Sequence, residues 1–169
     1  QLGNGTRDGD SHPTATQVPG LSGVVAISAG VFSSLALQSQ AGAMAWGGNV
    51  QGALGSGNNV NSSTPVAVAA LSGLSAITGG WVHSVALRSD GTVWAWGYNA
   101  SGELGDGSNA TRNTPGQVLR LAGMVAIASG DHHNVALRSD GTVWAWGANE
   151  SGELGDGSTA NRTEPVQVR

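Results

Sequence analysis

The stretch SDGTVWAWGYNASGELGDGS, residues 89–108, returns as SDGTVWAWGANESGELGDGS at residues 139–158. The two copies agree at 18 of 20 positions and lie 50 residues apart. A fixed period of this length indicates an array of like supersecondary units. The repeat therefore decides the fold.

The similarity extends outward from these two copies over the whole chain. Three units align without internal gaps: residues 21–70, 71–120 and 121–169. Residues 1–20 match the tail of such a unit, apart from a two-residue insertion before Val18. We interpret residues 1–169 as a single repeat domain, in which residues 1–20 are the tail of a partial repeat.

Each unit predicts four short strands and no helix. In the segment VWAW, Trp94 and Trp96 fall on one strand face, and Val93 and Ala95 fall on the other. Nowhere do apolar residues recur at three- and four-residue spacing over a helical length. Four strands in about 50 residues are typical of a propeller blade. We predict an all-β fold, a β-propeller of four-stranded antiparallel blades, with about three blades plus an extra strand in this chain.

Residues that recur in every unit are expected to build the blades. Small side chains suit crowded positions near the axis, namely Ala36, Ala86 and Ala136. Large side chains suit the gaps between blades, namely Trp46, Trp96 and Trp146. The Asp90-Gly91 pair predicts a hairpin with a type I′ turn, which needs positive φ at both central residues. Gln40-Ala41-Gly42 shifts the glycine by one place and predicts a looser turn there.

The composition argues against several classes of function. The chain has no Lys, its seven Arg are scattered singly, and its formal net charge is −4. Nucleic-acid binding depends on clustered positive charge, so we expect no nucleic-acid partner. There is no Cys, which excludes disulfides and thiolate metal sites. No apolar run approaches 18 residues, so we expect no membrane insertion.

The repeated motif resembles that of a known family. GWVHSVAL at residues 80–87 and GDHHNVAL at 130–137 are each followed by DGTVWAWG and by N-x-x-G-E-L-G-x-G. This pattern resembles the repeat of the regulator of chromosome condensation family, although Ser33 replaces the His in the first full unit. The resemblance implies a β-propeller, usually of seven blades, that is a platform for protein partners. It favours a bacterial member, secreted or at the cell surface, similar to the bacterial β-lactamase inhibitor that has this repeat.

The number of blades leaves two interpretations open. Seven blades of this size would need about 350 residues, whereas the chain has 169. The sequence is either part of a longer propeller or a half-ring that closes by association. In the second case two copies would form a homo-oligomeric ring with two-fold symmetry, in which the extra N-terminal strand of one copy completes a blade of the other.

Polar residues that recur from unit to unit predict structure more strongly than chemistry. We expect His83 and His133 to bond backbone groups and fix blade packing. Glu103 and Glu153 recur in Gly-rich turns and are explained by turn formation and solvation. Asp131-His132-His133 superficially suggests a metal site, but adjacent strand residues point to opposite faces. We therefore predict no metal site, cofactor, catalytic residue or enzymatic activity.

The most variable short segment follows the repeated glycine of each unit and is the predicted binding site. It consists of Val31-Phe32, Trp81-Val82 and Asp131-His132. Exposed aromatic residues on a rigid scaffold are the usual anchors of a protein interface, and in the similar β-lactamase inhibitor such loops carry the partner contacts. The alternative is that Phe32 and Trp81 merely fill gaps between blades.

Three further functions stay open at this point. The first is self-association, in which the chain is a propeller fragment that assembles into a ring and whose chief partner is itself. By family analogy alone, the resemblance also suggests guanine-nucleotide exchange on a small GTPase. An enzymatic site on the propeller is the least favoured, because no carboxylate–His set lies outside the repeat.

Overall fold

The computed structural model describes residues 2–6, 12, 14–39 and 42–169, which form three four-stranded antiparallel sheets. Blade 1 contains β1 (Val24–Ala29), β2 (Ser33–Gln38), β3 (Gly42–Gly47) and β4 (Ser62–Ala67). Blade 2 contains β5 (Leu74–Gly79), β6 (His83–Arg88), β7 (Val93–Gly97) and β8 (Arg112–Gln117). Blade 3 contains β9 (Met124–Ser129), β10 (His133–Arg138), β11 (Val143–Gly147) and β12 (Arg162–Gln167). The strands of each blade are paired in chain order, which confirms the predicted all-β partial propeller.

The first strand of each blade lies on the inside of the arc. Strand β5 contacts both β1 and β9, whereas the fourth strands lie at the outer edge of each sheet. Because the strands alternate in direction, the loops after the first and third strands of every blade lie at the same end. We call this end, which carries the β1–β2 and β3–β4 loops and their equivalents, the upper end of the blades.

Two hydrophobic cores lie between the blades. The core between blades 2 and 3 joins Val85, Leu87 and Val93 of one sheet to Met124 and Trp146 of the next. A matching core, centred on Leu35 and Trp96, joins blades 1 and 2. The indoles of Trp96 and Trp146 are completely buried. Blade 2 therefore buries both of its faces against its neighbours, and blades 1 and 3 each bury one face in this way.

Trp96 and Trp146 are each tied to the preceding blade by a hydrogen bond. Trp96 Nε1 donates to the carbonyl oxygen of Ala53 at 2.8 Å, and Trp146 Nε1 donates to that of Glu103 at 3.0 Å. The loop glycine two residues after each carbonyl lies against the indole. A Cβ on Gly55 would lie 2.7 Å from Trp96 Nε1, so the indole has room only because this residue has no side chain.

The N-terminal tail occupies the place that such a loop takes on the other blades. A Cβ on Gly3 would lie 2.8 Å from Trp46 Nε1, as at Gly55 against Trp96. Gly5 N–H donates to the carbonyl of Ser63 at 2.9 Å, matching the bond of Gly57 to Asn113. Gly3 and Gly5 therefore take the places on blade 1 that Gly55 and Gly57 take on blade 2.

Some local predictions differ from the structure. The described residues of 1–20 include no strand, and residues 10, 11 and 13 of the predicted extra strand lie outside the described residues. The hairpin at Asp90-Gly91 is not type I′, because only Gly91 has positive φ (79°). Gly91 N–H and Arg88 C=O close a turn inside a three-residue loop, with Gly in the left-handed position. Gln40 and Ala41 of the predicted looser turn lie outside the described residues.

Candidate protein-binding surface

The three variable loops meet at the upper end of the arc. Val31 N–H donates to the carbonyl of Gly80 at 3.3 Å, and Trp81 N–H donates to that of Asp131 at 2.9 Å. These bonds join the β1–β2, β5–β6 and β9–β10 loops across the blade boundaries. The segments singled out in the sequence, residues 31–32, 81–82 and 131–132, are therefore neighbours in space.

Four rings form a continuous group, which we call the aromatic surface: Phe32, Trp81 and His132 of these loops, and Tyr98 of the β7–β8 loop. The ring centroids of Phe32 and Trp81 are 6.3 Å apart. His132 lies edge-on to Trp81 at 4.8 Å and to Tyr98 at 6.0 Å. Phe32 is 44% exposed and Trp81 is 39% exposed, so neither is a buried gap-filler between blades.

The aromatic surface borders a groove of about 930 Å³. Phe32, Trp81 and Tyr98 line this groove, and Val50, with Leu2 of the N-terminal tail, contributes further apolar surface. Tyr98 was missed in the sequence analysis. It stands at one of the two positions where the repeated stretch at 89–108 differs from its copy, and that difference was the available signal.

His132 is fixed by Glu103, a carboxylate that was predicted to lie in a solvated turn. Its Nδ1 lies 3.0 Å from Glu103 Oε1. The Glu103 side chain is completely buried, and its second oxygen accepts the N–H of Ser101 at 2.8 Å. The interpretation of Glu103 as a solvated residue was wrong, because blade 3 covers it. Glu153, at the same register of blade 3, is exposed.

His83 is buried at the same boundary, but its partner is a side chain and not the expected backbone group. Its Nε2 lies 2.9 Å from Asn134 Oδ1 of blade 3. Asn134 donates through Nδ2 to the carbonyl of Glu103, so its oxygen faces His83 as an acceptor. Nε2 therefore carries the proton, and Nδ1 has no partner among the described residues. Burial lowers the pKa of His83 to about 4.

The other predicted residues are placed as follows. His133 is half-buried at the register of His83, and its ring packs against Gly130. No group of three or more possible metal ligands occurs among the described residues. The described part of the chain also contains no helix of the length and hydrophobicity needed to cross a membrane.

The sequence matches two models of the regulator of chromosome condensation (RCC1) repeat. One model covers residues 44–87, 90–137 and 140–169, which together make up more than half of the chain. A second model of the same repeat covers residues 75–103 and 124–153. No curated protein sequence matches the chain significantly.

Solved structures with the same fold are known. Prp20p from Saccharomyces cerevisiae has 22% sequence identity and a TM-score of 0.77, over 89% of this chain and 39% of that chain. Human WBSCR16 has 23% identity and a TM-score of 0.76, over 86% of this chain and 39% of that chain. This chain thus spans about two fifths of the length of the structures it matches, and the likeness establishes the fold alone.

The two equivalent glutamates predict a measurable difference in stability. Glu103→Ala removes a buried carboxylate, leaves His132 without its partner and opens a cavity, so we expect a loss of about 2 kcal/mol or more in the free energy of unfolding. Glu153→Ala is the matched control, because Glu153 accepts the N–H of Ser151 just as Glu103 accepts that of Ser101, but its side chain is exposed. Urea denaturation measures both, and equal losses would contradict the role assigned to blade 3.

The lowered pKa of His83 predicts a pH dependence. The unfolded chain takes up the proton near pH 6.5, whereas the folded chain takes it up only near pH 4. The contribution of His83 to stability is therefore complete above pH 6.5 and is lost as the pH falls towards 4, by roughly 2 kcal/mol between pH 7 and pH 5. His83→Gln should lose less over this interval in urea denaturation. The same loss in both proteins would assign the effect to other groups.

Proposed function

We propose that this chain, which belongs to the regulator of chromosome condensation (RCC1) repeat family, is a non-enzymatic scaffold that binds another protein through the aromatic surface. The residues proposed to contact the partner are those of the three joined loops: Val31, Phe32, Trp81, Val82, Asp131 and His132. To these the geometry adds Tyr98, whose ring contacts His132.

The exposure of Phe32 and Trp81 on hydrogen-bonded loops is the observation that carries this proposal. Both rings are large, apolar and accessible, yet the backbone beneath them is held by bonds between neighbouring blades. Rings held in this way lose little conformational entropy on binding, and aromatic side chains are enriched among the residues that dominate interface energies. The adjoining groove gives a partner segment a concave surface to enter.

Structural relatives support protein binding in general, without indicating a particular surface or partner. The structure of Prp20p is described together with its binding to Gsp1p and histones, and a second structure shows Kap60 bound to yeast RCC1 (Prp20). Gsp1p, the histones and Kap60 are partners of those relatives and are not assigned to this chain. Nucleotide exchange would be one particular form of protein binding, and no described residue of this chain distinguishes it.

The aromatic surface predicts that Trp81→Ala weakens binding of the protein partner at least tenfold, because an anchor of this kind contributes 2 kcal/mol or more in many interfaces (about thirtyfold). The partner is first identified by capture on the wild-type chain, and its affinity is then measured by biolayer interferometry. Val60→Ala is the control, since Val60 is 70% exposed and lies outside the aromatic surface. A partner that binds wild type and Trp81→Ala equally would refute the proposal.

Self-association is a second candidate function, favoured by the apolar faces that the arc leaves open. Ile27 of blade 1 is 77% exposed, whereas Ile77 at the same register is 8% exposed. On blade 3, Leu137 is 38% exposed and its equivalent Leu87 only 2%. The open face of blade 3 has the residue types that pack on a following blade within the chain, so a second copy could supply that blade.

The N-terminal tail limits how a ring could close. It already occupies the loop site on blade 1, where Gly3 lies against Trp46. Blade 3 has its own complete loop and fourth strand, residues 148–167. Head-to-tail docking of two copies would bring both segments to one site, so we infer that the tail must leave blade 1 before a ring forms. This differs from the expectation that the tail completes a blade of the other copy.

Self-association predicts a solution mass that rises above 16.8 kDa with concentration. Light scattering over a hundredfold dilution measures it. Leu137→Asp should keep the chain monomeric by placing a charge in the apolar contact, whereas Val60→Asp should leave the mass unchanged. A monomer at every concentration would exclude this candidate without affecting the first.

A further inference from the structure

The arginines of the described chain are almost all neutralised within the fold. Five of the six form ion pairs with carboxylates: Arg88–Asp90, Arg112–Asp106, Arg120–Glu164, Arg138–Asp140 and Arg162–Asp156. The sixth, Arg169, follows β12, and its N–H donates to the carbonyl of Gly155 in the β11–β12 loop at 3.0 Å. It lines a pocket with Trp144 and Asp156, and not the groove beside the aromatic surface. The described residues therefore place no arginine without an ion pair beside the aromatic surface.

The carboxylates are distributed differently. Glu103 is paired with His132, and three other carboxylates among the described residues form no ion pair: Asp131, Glu150 and Glu153. All three are exposed and belong to blade 3. Asp131 lies in the β9–β10 loop at the upper end, and the two glutamates lie in the first half of the β11–β12 loop, which begins at that end. Among the described residues, the carboxylates left without an ion pair thus all belong to blade 3, in loops that begin at the end carrying the aromatic surface.

Asp131 is the carboxylate most closely tied to the aromatic surface. Its carbonyl accepts the N–H of Trp81 at 2.9 Å, and the next residue in the chain, His132, places its ring 4.8 Å from the Trp81 ring. An exposed indole face and an unpaired carboxylate therefore lie on adjoining, bonded loops. This pair of groups suits a guanidinium or ammonium group, which is attracted both by the ring face and by the negative charge.

We propose that the segment bound at the aromatic surface is a cationic peptide segment, with an Arg or Lys side chain against Trp81 and its charge facing Asp131. Arg fits better than Lys, because its planar guanidinium can stack on the indole while it bonds a carboxylate. Glu150 and Glu153 raise the local concentration of cationic segments at the upper end. The inference rests on the proposed function and specifies the chemistry of its partner.

The other classes of peptide fit the charges less well. A neutral apolar segment laid over Trp81 would desolvate Asp131 without giving it a partner, which costs binding energy. An acidic segment would meet three unpaired carboxylates and be repelled. Among the three classes, only a cationic segment gains from both the rings and the carboxylates.

The test starts from a phage-displayed library of random 12-residue peptides selected on the whole chain. Recovered peptides are synthesised with a fluorescent label, and binding is measured by anisotropy. We expect Arg and Lys to be enriched. Replacement of the key Arg by citrulline, which keeps the shape and removes the charge, should lower affinity about tenfold. Raising NaCl from 50 to 300 mM should weaken binding in the same direction.

Matched variants assign the effect to the surface. Asp131→Asn should lower affinity severalfold, and Trp81→Ala at least tenfold. Asp140→Asn is the control, because it makes the same change in net charge at an exposed carboxylate. Asp140 lies in the β10–β11 hairpin, at the opposite end of blade 3 from Asp131. Circular dichroism verifies that each variant is folded. If Asp131→Asn and Asp140→Asn lowered the peptide affinity equally, the affinity would depend only on the net charge of the chain, and the inference would be overturned.

The outcomes separate this inference from the function on which it rests. Peptides that need Trp81 but tolerate citrulline would refute the cationic partner and leave the protein-binding surface intact. Peptides that bind wild type and Trp81→Ala equally would refute the surface itself. Recovery of no binding peptide would overturn the inference, because it requires an extended cationic segment to bind on its own.

Discussion

The hydrogen bond from each buried indole to a carbonyl of the preceding blade is the contact on which the rest of the structure depends. Trp96 bonds to Ala53 and Trp146 to Glu103. Each bond satisfies the one polar atom of a large apolar side chain, which can then be completely buried between two sheets. It also fixes the loop that supplies the carbonyl, and Glu103 in that loop holds His132 on the aromatic surface. Blade packing and the geometry of the candidate site therefore follow from one repeated contact.

Most of the fold was predictable from the sequence, because the blade is specified by local pattern. The alternation in VWAW assigned Val93 and Trp96 to opposite faces, and the two cores between the blades confirm it. The position of the three variable loops followed from the period. The predicted turn type of the hairpin at Gly91 was wrong, because a glycine in the left-handed region also suits a three-residue loop.

The contacts between blades were not predictable in the same way. Glu103 and Glu153 stand in identical local sequences, yet one is buried and the other exposed. The difference comes from whether a neighbouring sheet covers them, which local sequence does not record. Likewise, the partner of His83 is 51 residues away. Tyr98 and Glu150 occupy the two positions at which the repeated stretches differ. Tyr98 lies in the aromatic surface, and Glu150 is an unpaired carboxylate of the β11–β12 loop.

The boundaries of the sheets do not coincide with the boundaries of the repeated sequence unit. The family repeat matched at residues 44–87 begins in the third strand of one sheet and ends in the second strand of the next. Recombination between the near-identical stretches at 89–108 and 139–158 would delete 50 residues. It would join the first two strands of one sheet to the last two strands of another. Each remaining contact between blades would still be made by residues that already pack in equivalent contacts. Such an array can lengthen or shorten by whole blades in single genetic steps, so its blade number can change faster than its blade sequence.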